Sequence, residues 1–443
     1  MTRSCRDMFL LIAVTAAIVA LGTAAVQAQT FTSPTEGQIV RENVKIVVPS
    51  SAVPSDGFVA VFVGEKGAEA FTVALGRSTA LVRGGSLVFL WDTKAPYHES
   101  SDLTVAKYLK DGRYSVRMEI HDLDGKTIDS QTVSIELKNK VARTNPAPGV
   151  NLVNKLAFGQ TNTYRVRATA QFFDAVGLPM LGGMGISSDF RVIQSVEDAR
   201  QTGEFLIRYR VADGGFVTSA STKRLLYEDE VFKPQIYRLI TKRGDVVNRN
   251  MFSKQKKYSI TDILPVLPDH SVKEGDAWPC KLYLKIDGLT NTIPLEGSSS
   301  LDSFEWQNGV ECAKIISQVS GNTMLSMAGG KIRSATSVVN ALITTYFSYK
   351  AGRMLKSEVS MLVPAVIEAG AEDLASDREA GGSNPSAAPG GRGMIPVNMS
   401  AYDDESDVAR PAQGGPPATG GVAPVSTAKQ GSVQINATIQ LEK

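Results

Sequence analysis

Histidine, cysteine and tryptophan are scarce, with three of each in 443 residues. The histidines, His98, His121 and His270, stand far apart, and none lies in a metal-holding pattern such as His-Glu-x-x-His. Two of the cysteines, Cys280 and Cys312, are isolated from one another and lack the close pairing of zinc sites, so no metal is expected. The glycine-serine elbow of hydrolases is absent. The glycine-rich stretches lack the Lys-Ser/Thr ending of a phosphate loop, so no cofactor is expected either. Neither sign of charge dominates: 47 basic residues face 45 acidic ones, a net charge of +2. That balance gives no electrostatic case for a nucleic-acid partner, and the lysines 254, 256 and 257 read as a solvated loop. Long apolar runs are also missing beyond the first residues, so no later segment is long enough to span a bilayer as a helix.

The start of the chain is the exception. Arg3 and Arg6 precede an alanine-rich apolar run from Met8 to Val26, and Val26-Gln27-Ala28 fits a small-x-small cleavage site. Residues 1–28 are expected to be a signal peptide, with Gln29 opening the mature chain. The run is near spanning length, so a retained anchor is the competing reading. Cys5 precedes the run instead of closing it, which argues against a lipid anchor. Export places the protein in the periplasm, in the cell envelope or outside the cell. There Cys280 and Cys312 could form a disulfide worth about 3–4 kcal/mol in the chain-entropy view, or stay two buried thiols.

Residues 29–140 read as strands. Val44, Ile46 and Val48 share one face. Phe58–Val63 and Leu87–Trp91 are continuous apolar runs suited to central strands. Tyr114, Val116, Met118 and Ile120 alternate with polar residues, as do Val133, Ile135 and Leu137. Asp111-Gly112 and Asp124-Gly125 are turn signals, because such pairs accept positive φ at little cost. Asp122, Asp124 and Gly125 lack the longer acidic series of a calcium loop and read as a hairpin turn. The motifs SPTEGQIV, LVFLWDTK and DGRYSVRMEIHDLDGKTI resemble bacterial immunoglobulin-like domains. The resemblance implies a sandwich without the antibody-type cysteine pair, used as a spacer or binding module, and it carries over no catalytic residue.

Residues 141–160, with Asn145-Pro146-Ala147-Pro148-Gly149, read as a linker. A second β-rich region follows over 161–370. Thr163–Phe172, Gly203–Val211, Ile236–Ile240, Thr336–Tyr349 and Arg353–Val363 are predicted strands. Gly177–Gly185 (GLPMLGGMG) reads as a packed loop or a lip over a cavity. Arg243-Gly244-Asp245 matches an integrin tripeptide but sits where a hairpin turn is expected. Lys350-Ala351-Gly352 should join two strands, the second with Leu355, Ser357, Val359, Met361 and Val363 on one face. The stretch from Leu264 to Ile316 holds both cysteines. It opens with Pro265 and Pro268, turns at Glu274-Gly275-Asp276 and enters a strand led by Trp278. Asp276 is expected to bond the turn; it is also the one positional candidate for a carboxylate-pair hydrolase. Trp278, Trp306, Tyr346, Phe347 and Tyr349 either line an apolar pocket or form ordinary core.

Residues 371–430 are rich in Gly, Pro, Ala and Ser and cannot bury enough apolar area to order themselves. Order returns at 431–443, where Val433, Ile435, Ala437, Ile439 and Leu441 alternate with polar residues. That segment is expected to dock back as a strand on the second sheet, or to be donated to a neighbouring molecule. Leu267-Pro268, Val272, Gly275-Asp276, Trp278, Glu311-Cys312-Ala313-Lys314-Ile315 and YFSYKAGRMLKSE are similar to a β-rich family of unknown function in secreted bacterial proteins. The resemblance implies curved antiparallel sheet and no known chemistry. The expected fold is therefore all-β: an immunoglobulin-like sandwich, then a larger curved antiparallel sheet or partial barrel. The expected role is non-enzymatic, binding or structural, with an envelope protein or an apolar ligand as partner. A lipid carrier and a carbohydrate-active hydrolase are the alternatives.

Overall fold

The computed structural model describes residues 31–67, 73–79, 85–99, 102–143, 149–174, 186–212, 215–218, 223–225, 235–248, 252, 266–284, 293–323, 332–333, 337–368 and 428–442. The leader, residues 144–148, the GLPMLGGMG stretch, the lysines at 254–257, Pro265 and residues 371–427 lie outside the described residues. Among those described there is no α-helix.

The first body follows from alternation. Its strands are β1 Gln38–Val40, β2 Asn43–Pro49, β3 Phe58–Glu65, β4 Val73–Thr79 and β5 Ser86–Asp92. Then come β6 Tyr97–Glu99, β7 Asp102–Lys107, β8 Gly112–His121 and β9 Thr127–Leu137. One sheet has the order β1-β9-β8-β3-β4, with β1 parallel to β9; β2 pairs β5, and β6 pairs β7. The expected faces of β2, β8 and β9 are buried together with Trp91 in one core. Each such apolar side chain contributes about 1.5–3 kcal/mol on burial. β3 is central, between β8 and β4. β5 departs from expectation: among the described residues it pairs only β2, and Val88 and Leu90 are 53% and 71% exposed. Its apolar run belongs to an edge strand with one wet face. Asp122 accepts a hydrogen bond from the Lys126 amide at 2.8 Å and Gly125 takes φ 80°, the plain hairpin turn expected there.

The second body contains β10 Thr161–Asp174, β11 Ile186–Ala199, β12 Glu204–Val211, β13 Phe216–Thr218 and β14 Lys223–Leu225. β15 Ile236–Thr241, β16 Val246–Asn248, β17 Ala277–Leu284, β18 Ile293–Gln307 and β19 Val310–Thr323 follow. The last are β20 Ile332–Arg333, β21 Ser337–Ser348, β22 Arg353–Glu368 and β23 Ala428–Leu441. All fourteen belong to one sheet, eleven of them in the order β16-β15-β12-β11-β10-β23-β22-β21-β19-β18-β17, with β13 paired to β11, β14 to β13 and β20 to β22. A flat sheet of those eleven strands would be about 48 Å wide. Yet side chains from both ends, Ile240 of β15 and Leu282 of β17 among them, share one core, so the sheet is strongly curved. Segment 266–276 bridges its ends: the Leu267 amide donates to the Arg243 carbonyl at 2.9 Å, and Trp278 Nε1 donates to the Val266 carbonyl at 2.9 Å. Among the described residues β16 and β17 do not pair, so the sheet is not closed into a barrel there.

The terminal strand begins at Ala428, three residues inside the stretch expected to be disordered. It lies at the centre of the sheet, between β10 and β22. Gly352 ends the β21–β22 hairpin at φ 64°, and a Cβ there would clash with Lys155. The register shifts beside that turn, between Tyr346 and Phe347. Leu355 is thereby turned away from Val359, Met361 and Val363, and packs with Cys312 and Tyr346 instead.

Candidate functional site

On the concave side of the large sheet lies a cavity of about 100 Å³. Its lining is mixed: Val166, Val192, Phe347 and Ile439 stand among Tyr164, Gln194, Tyr209 and three arginines, Arg238, Arg243 and Arg353, and Tyr164 pairs directly opposite Val192. Arg238 occupies an inward position of β15, in phase with Ile236 and Ile240, and is 1% exposed. Burying a guanidinium costs several kcal/mol unless it is hydrogen-bonded or paired, so its position is informative. One of its contacts is to the Tyr237 carbonyl, at 3.1 Å from Nη1.

Arg243 stands in the β15–β16 turn, half exposed, with Nε donating to the Leu267 carbonyl at 2.9 Å. Gly244 supplies that turn at φ 94°. The Arg-Gly-Asp triplet is thus a hairpin turn whose arginine folds back onto the bridging segment. Arg353 opens β22, and its buried Nε has no hydrogen-bond partner. Its Nη1 reaches Asn162 Oδ1 at 3.5 Å. Asn162 donates to Gln194 at 3.0 Å, and Gln194 donates to the Tyr209 hydroxyl at 3.2 Å, so a polar chain runs along one wall. Burial pushes the Tyr164 phenol up, so it is a neutral donor at ordinary pH. Among the described residues no aspartate or glutamate lines the cavity.

The aromatic residues singled out from the sequence do not converge. Trp278 and Phe347 are buried in the main core, and only Phe347 reaches the cavity. Tyr349 packs at the edge of that core and donates its hydroxyl to Glu311 at 2.8 Å; burial, then Glu311, push its pKa up to about 12. Tyr346 faces the other side of the sheet, since neighbouring strand residues point oppositely. Trp306 lies at the junction with the first body, under the Arg41 guanidinium at 3.9 Å. Asp276 bonds its turn as expected, accepting from the Lys273 amide at 2.8 Å.

The cysteine pairing is corrected: both thiols are free and buried. Cys280 is opposite Gly297, and Gly297 is opposite Val319, seven residues from Cys312 along β19. That spacing is about 23 Å along the strand, against the roughly 7 Å limit between bridged Cα atoms. Being odd, it also puts the thiols on opposite faces, Cys280 in the main core and Cys312 in the smaller cluster. Burial pushes the Cys312 thiol up to about 12.

A second concavity, about 350 Å³ and open, crosses the outer face of β10, β23, β22 and β21. Arg167, Glu358, Asn436 and Thr438 line it, with Tyr108 of the first body at its rim. Among the described residues no group of three His, Cys, Asp or Glu is placed to hold a metal ion. No helix among them is long and apolar enough to cross a membrane.

Fold and site together define an all-β protein in which an open curved sheet encloses a small, arginine-walled cavity. No family model matches the chain, and no curated protein or solved structure matches it.

Proposed function

We propose that this is an exported, non-enzymatic binding protein that holds a small ligand inside its curved sheet. The observation that carries the reading is the cavity itself, where apolar side chains are mixed with polar groups from five separate strands. Such a mixture is what orients a small molecule, where ordinary core would close over apolar side chains alone. The leader-like start, Arg3 to Ala28, supports export to the periplasm, the envelope or the outside. In the first body the strand order, with β1 parallel to β9 and β2–β5 as a second sheet, supports an immunoglobulin-like module that presents or spaces the binding body.

The carrier reading narrows on volume. At about 100 Å³ the cavity is smaller than the roughly 150 Å³ that admits benzene, so a lipid chain does not fit in it. Native mass spectrometry of protein purified from its source cell tests the proposal. A small molecule should ride with the folded chain and leave on denaturation. A chain that is always empty, and that no small-molecule library stabilises against heat, would end the binding reading.

A further inference from the structure

We propose a second binding site, on the outer face of the same sheet, that takes a short neutral oligosaccharide. It is the open concavity of about 350 Å³ over β10, β23, β22 and β21. Among the described residues its lining and that of the inner cavity share no member, so the two readings stand or fall separately. The strand register sets its side chains in a grid. Arg167, Thr438, Glu358 and Thr344 stand opposite one another in one row. Thr169, Asn436, Ser360 and Leu342 form the next. Each row crosses four strands, about 14 Å, and the rows are about 7 Å apart. That is an extended platform, suited to a chain-like guest more than to a single small molecule.

The chemistry of the grid selects the guest. Its charges are already balanced: Arg167 lies 3.4 Å from Asp189, and Lys356 lies 2.7 Å from Glu358. A site without a spare charge gives an ion no electrostatic advantage. All four strands are paired on both sides, so no backbone group is left for an added peptide strand, and recognition falls to side chains. Thr344, Asn436 and Thr438 are half-buried, and among the described residues their side chains have no hydrogen-bond partner. Hydroxyls and amides both donate and accept, as sugar hydroxyls do, whereas an aliphatic guest would leave these groups unpaired. Leu342 and Tyr108, 45% and 61% exposed, supply apolar surface for the C–H faces of sugar rings. Tyr108 comes from the first body, where its neighbour Leu109 packs against the core. The site thus draws on both bodies, with the tyrosine at its rim.

Isothermal titration on the mature full-length chain tests this with cellotetraose, laminaritetraose, maltotetraose and chitotetraose as neutral probes and tetragalacturonate as an anionic one. At least one neutral probe should bind with a Kd of about 0.1–1 mM, and tetragalacturonate at least tenfold more weakly than the best of them. Tyr108→Ala and Asn436→Ala should each weaken that best probe at least fivefold. Ser320→Ala, on the same face of β19 but outside the lining, should not. Unchanged melting of the unliganded variants separates lost binding from lost folding. Thr438→Val keeps the shape of its side chain and removes only the hydroxyl, so it reads the same loss if Asn436→Ala melts lower. No neutral probe bound at about 10 mM, or tetragalacturonate bound as tightly, overturns the neutral-sugar assignment. A neutral probe whose affinity all three lining variants leave unaltered overturns the placement of the site.

Discussion

Glu305 and Lys94 show how a buried charge is tolerated in this chain. Their side chains are 10% and 11% exposed, and Lys94 Nζ lies 3.3 Å from Glu305 Oε2. Glu305 also takes Lys314 Nζ at 3.1 Å and the Ser303 hydroxyl at 3.2 Å. Lys94 donates to the Trp306 carbonyl and sits 4.4 Å above the Tyr346 ring. Burial still wins: it pulls the Lys94 ammonium below its ordinary range against the attraction of Glu305. Removing either partner should therefore be unequal in cost. Lys94→Met leaves Glu305 with Lys314 and should cost about 1–3 kcal/mol. Glu305→Gln strands a buried ammonium and should cost about 3–5 kcal/mol. The pH dependence has a definite sign. A base whose folded pKa is depressed binds fewer protons folded than unfolded, so stability rises with pH up to the free value of 10.5. The Glu305→Gln deficit should thus be largest near neutrality and shrink toward pH 10. Urea unfolding at several pH values measures it, and a deficit that grows with pH would refute the account.

β23 carries an equally sharp expectation. It is hydrogen-bonded along both edges, to β10 over residues 164–174 and to β22 over residues 356–368. Val433, Ala437 and Ile439 are buried in the main core. Truncation after residue 427 removes the central strand of the curved sheet and should unfold the second body, while the first keeps its native core. A synthetic peptide of residues 428–443 added in trans should restore it by strand addition. Within the intact chain Ile439→Ala should cost about 2–5 kcal/mol. Limited proteolysis and circular dichroism read both, and a truncated chain that folds without the peptide would contradict the topology.

That strand also marks how far the sequence was legible. Its alternation gave its existence and its wet face, because a period of two fixes which side chains turn inward. Alternation says nothing about neighbours, so a half-wet strand reads alike at an edge and at the centre. Elsewhere the period itself was masked. Ser299 and Ser317 bond each other at 2.7 Å, and Thr345 and Ser357 at 3.1 Å, all four buried. Small hydroxyl residues fill inward slots in pairs there, so β18 and β19 looked less apolar than their burial. The candidate site was hidden by the opposite substitution. Arg238 keeps the inward phase of Ile236 and Ile240, and Gln194 that of Val192 and Val196; those mismatches were the traces of a cavity whose walls come from distant strands.

The two bodies have separate cores joined by a polar junction. The first core draws on residues Phe31 to Leu137, the second on Leu152 to Ile439. Between them the β18–β19 tip meets the end of the sandwich. The Gly309 amide donates to Glu42 at 3.0 Å, the Trp306 amide to the Asn139 carbonyl at 2.9 Å, and the Val141 amide to the Phe304 carbonyl at 2.8 Å. Asn139 is itself held, its side chain accepting from the Glu42 amide at 2.9 Å and the Thr93 hydroxyl at 3.0 Å. Few apolar groups are shared across this seam, so it orients the bodies without merging their stability. The tryptophans are placed to test that. Trp91 lies in the first core, Trp278 in the second, and Trp306 at the seam. Three variants, each keeping one tryptophan and replacing the others by phenylalanine, can be unfolded in urea and followed by fluorescence. The Trp91 and Trp278 midpoints should differ, and Trp306 should report with whichever body opens first. Glu305→Gln should move the Trp306 transition to lower urea and leave Trp91 nearly where it was. Three coincident transitions, shifting together in that variant, would mean that the seam couples the cores into one cooperative unit.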